Sequence, residues 1–266
     1  MQQMARWYEL IRNRVGAAVI GMVSYAGGFA LLLGETCGFL AARVRRQHVL
    51  QQMQTIGVNS WSIVALINVF LGMVLALQSA YQLQKFGGNI YIAGLVALSV
   101  TREIGPILTA LILAGRVGAS IAAELGTMRV TEQIDALETL ATSPVRYLVV
   151  PRFIALLVVE PVLTLYADFC GILGGYIVGV FKLNITPRFY WRMTTEPLVF
   201  RDVFTGLLKS LVFAVIICIV SCYEGFRTEG GAEGVGRSTT RAVVLSFILI
   251  IAADCLLTAL FYFGWR

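Results

Sequence analysis

The chain has 266 residues, of which only 14% are charged and 58% are apolar, with a mean hydropathy of +0.80. A water-soluble domain carries roughly 25% charged residues, and one core of this size could not hide so much apolar surface. A soluble protein is excluded, and the composition is that of an integral membrane protein. The net charge of +6 comes from bases that punctuate apolar runs instead of forming a stripe, which reads as membrane topology and not as nucleic-acid binding.

Six apolar stretches follow one another at about 15–42, 61–82, 89–126, 148–183, 203–224 and 241–264. A helix needs about 20 residues to cross the hydrocarbon, so the third and fourth should project or tilt. Continuous runs without alternation favour helices over a barrel. The first stretch carries Gly16, Gly21, Gly27, Gly28 and Glu35 and has bases at both ends. Of the 18 bases outside the spans, 12 fall on one side and 6 on the other if this stretch lies in the interface; if it crosses, they divide 9 and 9. The positive-inside rule therefore predicts an interfacial first helix, five spans and a cytoplasmic N-terminus. A cleaved signal peptide is the competing reading, but the run exceeds the 7–15 residues of such a region.

Between the third and fourth stretches, 127–147 reads as an amphipathic cytoplasmic helix ended by Pro144. Ile134, Leu137 and Leu140 are spaced for one face, and Glu132, Asp135 and Glu138 for another. The Gly-, Ser- and Thr-rich segment 225–240 reads as a flexible loop. In 184–202, Phe189, Tyr190 and Trp191 beside Arg188 and Arg192 form an interface-anchoring pattern. No soluble domain, repeat or low-complexity tail is evident. The chain reads as one domain, with 1–60 as an interfacial region and 61–266 as the membrane core.

Two ladders of small residues recur every four positions: Ala110, Ala114, Gly118, Ala122 and Gly126, then Ala167, Gly171, Gly175 and Gly179. They permit close helix approach, either within the chain or between subunits. Ionisable residues inside spans are costly and mark candidate functional sites: Arg102 and Glu103 just before Pro106, Arg116 on nearly the same face as Arg102, Lys209 and Asp254. They either neutralise one another or meet a charged head group. Glu160 and Asp168, eight apart, share a face. The five cysteines lie in apolar runs and read as buried structural thiols. With a single histidine, His48, neither a metal cluster nor a catalytic triad is formed. No Lys follows a Gly, so the chain has no phosphate loop of its own and does not read as an enzyme.

The stretch Thr101–Phe153, TREIGPILTALILAGRVGASIAAELGTMRVTEQIDALETLATSPVRYLVVPRF, closely resembles the MlaE family of permeases in ABC-type lipid transporters that work with MCE proteins. LGMVLALQSAY (71–81), KSLVFAVIICIVSCYEGF (209–226) and TTRAVVLSFILIIAADCLLTAL (239–260) extend the resemblance in the same order. It implies an all-α membrane protein with an N-terminal interfacial helix, five spans and a cytoplasmic coupling helix at 127–143, in a bacterial inner membrane. It implies a homodimer, a separate ABC ATPase holding ATP and magnesium, an accessory protein on that ATPase, a periplasmic MCE protein and a phospholipid ligand. Neither a cofactor on this chain nor nucleic acid is expected. By the family's motif, Glu132, Gln133, Asp135, Ala136, Leu137 and Glu138 would meet the ATPase. By position, Leu75, Gln78, Gln82, Leu83 and Phe86 would line the lipid cavity, with Arg102, Glu103, Lys209, Arg241 and Asp254 as its polar set. The competing functions are a stand-alone secondary transporter or channel using the intramembrane charges, and a membrane scaffold without transport.

Overall fold

The computed structural model describes residues 23–40, 45–83, 88 and 91–263, and these are overwhelmingly helical. The helices are α1 (23–40), α2 (Arg46–Gly57), α3 (Trp61–Leu83), α4 (Ile92–Ser99), α5 (Gly105–Leu113), α6 (Ala119–Val130), α7 (Gln133–Thr139), α8 (Val150–Phe181), α9 (Pro187–Thr195), α10 (Phe200–Phe226) and α11 (Gly231–Phe263). α4, α5 and α6 form one rod, Ile92–Val130, joined through wide π-type turns at Val100–Ile104 and Ala114–Gly118. A third wide turn, Val145–Val149, opens α8. With no water in the hydrocarbon, helices keep every mid-span amide and carbonyl satisfied inside the segment, which is why the apolar runs fold this way.

The side-chain register fixes the directions of the rods. Arg102 meets Asp202 and a Cβ on Gly126 would meet Thr228, so the α4–α6 rod and α10 run parallel. Asp168 lies against Gly105 and Val100 against Gly171, so α8 runs antiparallel to the α4–α6 rod. Gly57 lies against Val159, Trp61 stacks on Tyr166 with ring centroids 3.7 Å apart, and Val69 lies against Gly174, so α3 runs parallel to α8. Two ends of the bundle result, one bearing α7 and the other α9.

α1 is long and apolar enough to cross a membrane. Its contacts nevertheless place it along the α7 end. Phe29 packs 4.5 Å from Tyr223, near the close of α10, while Phe39 shares a cavity with Arg146 and Tyr147, at the opening of α8. Both contacts lie at the end of the bundle that bears α7.

α8 is the hub: 67% of its apolar window is buried, against 11% for α1 and for α11. Both small-residue ladders face inward. A Cβ on Gly72 would overlap the Gly171 carbonyl, and one on Gly174 would overlap Val69, so α3 and α8 touch backbone to backbone. Gly118 and Gly126 face Ser221 and Thr228, while Gly175 and Gly179 form the notch that receives Tyr190. The ladders pack the chain against itself.

Several expectations are corrected. α11 begins at Gly231, so the loop is only 227–230. The Glu233–Arg237 pair one turn apart favours the helix, and the Thr239 and Thr240 hydroxyls are satisfied within it by the Val235 and Gly236 carbonyls. Residues 127–130 belong to α6, and Pro144 starts the next helix instead of ending α7. Leu140 is 75% exposed, because α7 stops at Thr139 and Ala141 turns left-handed. Tyr190 is wholly buried and not an interface anchor. Cys170, Cys218 and Cys222 are buried, but Cys37 and Cys255 are exposed. Arg152, within the fourth stretch, is buried in α8 and pairs with Glu124 at 2.8 Å.

Replacing Gly174 by Leu should force α3 from α8 and cost about 1–3 kcal/mol, read as a lower thermal midpoint in detergent. Gly34→Ala, where an added Cβ meets nothing within 4 Å, should leave the midpoint unchanged or raise it.

Candidate functional site

The buried charges converge on Lys209. Its side chain is 1% exposed, deep in the contact between α10, α11 and the wide turn Val100–Ile104. The ammonium donates to the Glu103 carboxylate, to Thr258 Oγ1 at 2.7 Å and to the Arg102 carbonyl at 3.2 Å, and lies 2.9 Å from Asp254 Oδ1. Beside it, Arg102 Nε donates to Asp202 Oδ1 at 2.8 Å, while Asp202 Oδ2 accepts the Val199 amide and caps α10. Two cations thus share three carboxylates, tying the second, fourth and fifth spans together. Of the two readings open for these residues, mutual neutralisation is the one the geometry realises for Lys209. Every donor of its ammonium is committed, since an ammonium carries three.

Arg102 and Glu103 retain 35% side-chain exposure each, so the cluster is closed on the α10 side and open beside the wide turn. A wide turn lets these neighbours both reach α10, where in a regular helix they would diverge by about 100°. The same geometry explains a correction at Arg116. Each wide turn holds an additional residue, so the face rotates, and Arg116 leaves Arg102 to donate to Ser60 Oγ at 3.1 Å and to the Thr55 carbonyl at 3.0 Å. Arg241 also departs from the set. It lies 13 positions before Asp254, about 20 Å along α11, and faces the α7 end near Glu233 and Arg237.

The positions expected to line a lipid cavity lie on α3, which packs on α8 and α4 and not on the Lys209 cluster. Gln78 and Gln82 are exposed one turn apart, and Leu75 is half-buried over Ala76 and Ala80. Leu83 lines an apolar cavity of about 600 Å³ with Tyr91, Leu98, Met193 and Pro197. Phe86 lies outside the described residues. Within one chain, then, the polar set and the apolar set occupy different flanks of the bundle.

At the other end, α7 presents Glu132, Gln133, Asp135, Ala136 and Glu138 to solvent. Ile134 is buried and Leu137 half-buried, anchoring the helix to the core. Arg129 pairs with Asp135, and Glu132 takes a left-handed backbone (φ 60°) that turns the chain from α6 into α7. Among the described residues, no three His, Cys, Asp or Glu side chains gather as metal ligands.

Asp202 and Thr258 belong to the cluster but were not found by sequence reasoning. Thr258 stands one helical turn after Asp254, a spacing that signals a shared face; Asp202 stands three residues after the extended Val199, as a helix-capping acid does. A further polar row went partly unread. Glu160, Thr164 and Asp168 follow one face of α8, and all three are buried. Both Glu160 oxygens, the Thr164 hydroxyl and Asp168 Oδ1 lack a hydrogen-bond partner among the described residues.

These features define a polytopic α-helical membrane protein whose spans are locked by an internal charge cluster and which exposes a short acidic helix at one end. A family model described as Permease MlaE matches residues 49–260. The chain is 46% identical over 253 residues to a probable ABC transporter permease protein of Rickettsia felis, covering 95% of this chain and 98% of that one. It is 35% identical to the intermembrane phospholipid transport system permease protein MlaE of Haemophilus influenzae, covering 94% of this chain and 97% of that protein. To the chloroplastic protein TRIGALACTOSYLDIACYLGLYCEROL 1 of Arabidopsis thaliana it is 36% identical, over 85% of this chain and 64% of that one. The chain belongs to the MlaE family of ABC transporter permeases.

Lys209→Met would strand the Glu103 and Asp254 carboxylates inside the bundle and should cost about 3–5 kcal/mol. Adding Glu103→Gln and Asp254→Asn to that variant should recover much of the loss; thermal unfolding in detergent measures both.

Proposed function

We propose that this chain is the membrane subunit of an ABC transporter that moves phospholipid between the inner membrane and a periplasmic MCE protein. It acts as a homodimer, and a separate ATPase, with an accessory protein, binds ATP and magnesium. The chain itself is non-catalytic. The observation that carries this reading is α7. It is a short acidic helix whose apolar side is anchored by Ile134 and whose exposed edge, among the described residues, pairs with the helices of this chain only through Arg129. Membership in the ABC permease family supplies the class of partner that such an edge receives.

The mechanism follows from how the rods are joined. An ATPase seated on Glu132, Gln133, Asp135, Ala136, Leu137 and Glu138 pushes on the end of α6. The α4–α6 rod carries that push from Val130 to Glu103, about 40 Å at 1.5 Å per residue. There Glu103 and Arg102 are bound to Lys209 and Asp202, so α10 and α11 move with the rod. The outer faces of α3 and α11 are apolar, with Phe70, Val74 and Leu77 exposed on one and Ile248, Ile251 and Leu256 on the other. In a homodimer such faces enclose acyl chains. Gln78 and Gln82 on α3, with the open side of Arg102, meet the polar end of the lipid, and Lys209 holds the cluster in register. The relative from Haemophilus influenzae, which is named for intermembrane phospholipid transport, supports the choice of substrate. A secondary transporter driven by the intramembrane charges is the weaker reading, because Lys209 is committed to internal partners. The domain is single, the N-terminus faces the cytoplasm with the α7 end, and the chain resides in a bacterial inner membrane.

In a reconstituted complex, Asp135→Lys with Glu138→Lys should lower lipid movement and lipid-stimulated ATP hydrolysis at least about tenfold. The permease should keep its thermal midpoint, since both side chains are exposed. Undiminished stimulation in the double variant would remove α7 as the docking element.

A further inference from the structure

Where α3, α5 and α8 pack together, away from the Lys209 cluster, several buried oxygen atoms face one junction. A Cβ on Gly105 would overlap Asp168 Oδ1, and the Val100 carbonyl oxygen lies 3.0 Å from that Cβ position, so two acceptors flank the same side of α5. Thr109 stands one turn after Gly105, and Thr164 one turn before Asp168. Because α5 and α8 run antiparallel, the two threonines fall opposite one another. On α3, Gly72 touches the Gly171 carbonyl. Asn68, one turn before Gly72, is therefore level with Asp168, since α3 runs parallel to α8. Asn68, Thr109 and Thr164 are wholly buried, and Asp168 is 7% exposed.

These groups are acceptors without donors. Asn68 Oδ1, Thr109 Oγ1, Thr164 Oγ1 and Asp168 Oδ1 each lack a hydrogen-bond partner among the described residues. Asn68 Nδ2 donates to the Val64 carbonyl at 2.9 Å, which leaves Oδ1 as the uncommitted end of that amide. For threonine the lack is a departure from the usual pattern. The buried Thr36, Thr194 and Thr228 each donate to the carbonyl four residues earlier in their own helix. No ion pair reaches Asp168 or Glu160 among the described residues, whereas Asp202, Glu103 and Asp254 each have a base. An uncompensated carboxylate inside a bundle is costly and marks a candidate ion site. What completes this junction must bring positive charge and take electron pairs from hard oxygen donors. Glu160 lies about 12 Å from Asp168 along α8, too far to hold the same ion. Calcium sites gather several carboxylates and magnesium keeps most of its waters. Neither suits a junction this buried with one carboxylate in reach.

We infer that this junction binds a monovalent alkali cation, ligated by Asp168 Oδ1, Asn68 Oδ1 and the hydroxyl oxygens of Thr109 and Thr164. The ion balances the Asp168 charge one to one and gives each of the four oxygens a partner. Side chains lean toward the N-terminus of their own helix, which carries Thr109 toward Gly105 and Asp168 toward Thr164, onto the same level. Glu160 adds negative potential from two turns away without touching the ion. Three helices contribute ligands, so the ion ties α3 and α8 to the α4–α6 rod on the flank where glycine contacts otherwise hold them. The inference rests on burial and packing within one chain, and not on the substrate, the direction of transport or any partner.

The full chain in mild detergent is held in choline chloride, and sodium chloride replaces choline stepwise at constant ionic strength. Bound radioactive sodium and the thermal midpoint are both read. One sodium per chain should bind saturably, and the midpoint should rise with sodium concentration. Asp168→Asn keeps the shape and removes the charge, and it should weaken binding at least about tenfold. Thr109→Val should weaken binding as well, and Glu160→Gln less than Asp168→Asn. If Asp168→Asn does not fold, Thr109→Val and the wild-type stoichiometry decide the matter. Displacement of labelled sodium by potassium would support the site as one for alkali ions in general, whereas displacement by calcium or magnesium alone would overturn it. Wild type without bound sodium, the result expected if Asp168 simply carries a proton, would overturn it too. So would equal binding by wild type and Asp168→Asn. Because neither lipid movement nor ATP hydrolysis is measured, the outcome is decided separately from the transport reading.

Discussion

An ammonium in the hydrocarbon region cannot be left to itself, and much of the architecture answers that constraint at Lys209. Its bonds to Glu103 and Thr258 and its approach to Asp254 draw three separate spans to one point. Desolvating these groups is expensive, and such clusters contribute little net stability compared with apolar packing. Their value lies in specificity: a register slip of one residue in α10 or α11 would separate the charges inside a medium that cannot solvate them. The close helix contacts elsewhere can then be shallow and apolar, because the cluster already selects their alignment.

On the opposite flank, alignment is achieved without charge. Gly72 and Gly174 bring α3 and α8 into backbone contact, and Gly175 and Gly179 admit the ring of Tyr190. Lipid tails are as apolar as leucine, so apolar burial alone would not drive these helices together. Shape complementarity does it instead, through many weak dispersion contacts at short range. One half of the bundle is therefore held by electrostatics and the other by fit, with the α4–α6 rod touching both. The rod therefore meets one contact set by charge and another set by shape.

Much of this was legible in the residues. Apolar runs of sufficient length marked the helices, and the acidic pattern 132–138 marked the exposed helix. The charges at 102, 103, 209 and 254 were recognised as a set, and they meet. What escaped depended on register. Arg116 was placed with Arg102 by counting regular turns, and two wide turns in the same rod invalidate that count. Tyr190 sat among residues typical of an interface, and only the glycine notch on α8 reveals why it is buried. The segment 231–240 has a loop's composition, yet its Glu233–Arg237 pair favours a helix and its threonine hydroxyls are satisfied within it. At Arg241 a motif was carried over without its depth in the membrane.

Each of the three wide turns carries an arginine, at 102, 116 and 146. A wide turn is what a helix becomes when it has accepted one extra residue without breaking. Deleting one residue from such a turn would restore a regular helix while swinging everything beyond it by about 100° about the axis. In the turn 114–118 such a deletion would spare the Lys209 cluster and redirect α7 sideways. Because Gly118 and Gly126 face Ser221 and Thr228, the swing would also turn that small-residue face away from α10. The extra residue in the turn therefore sets the packing of α6 and the direction of α7 together.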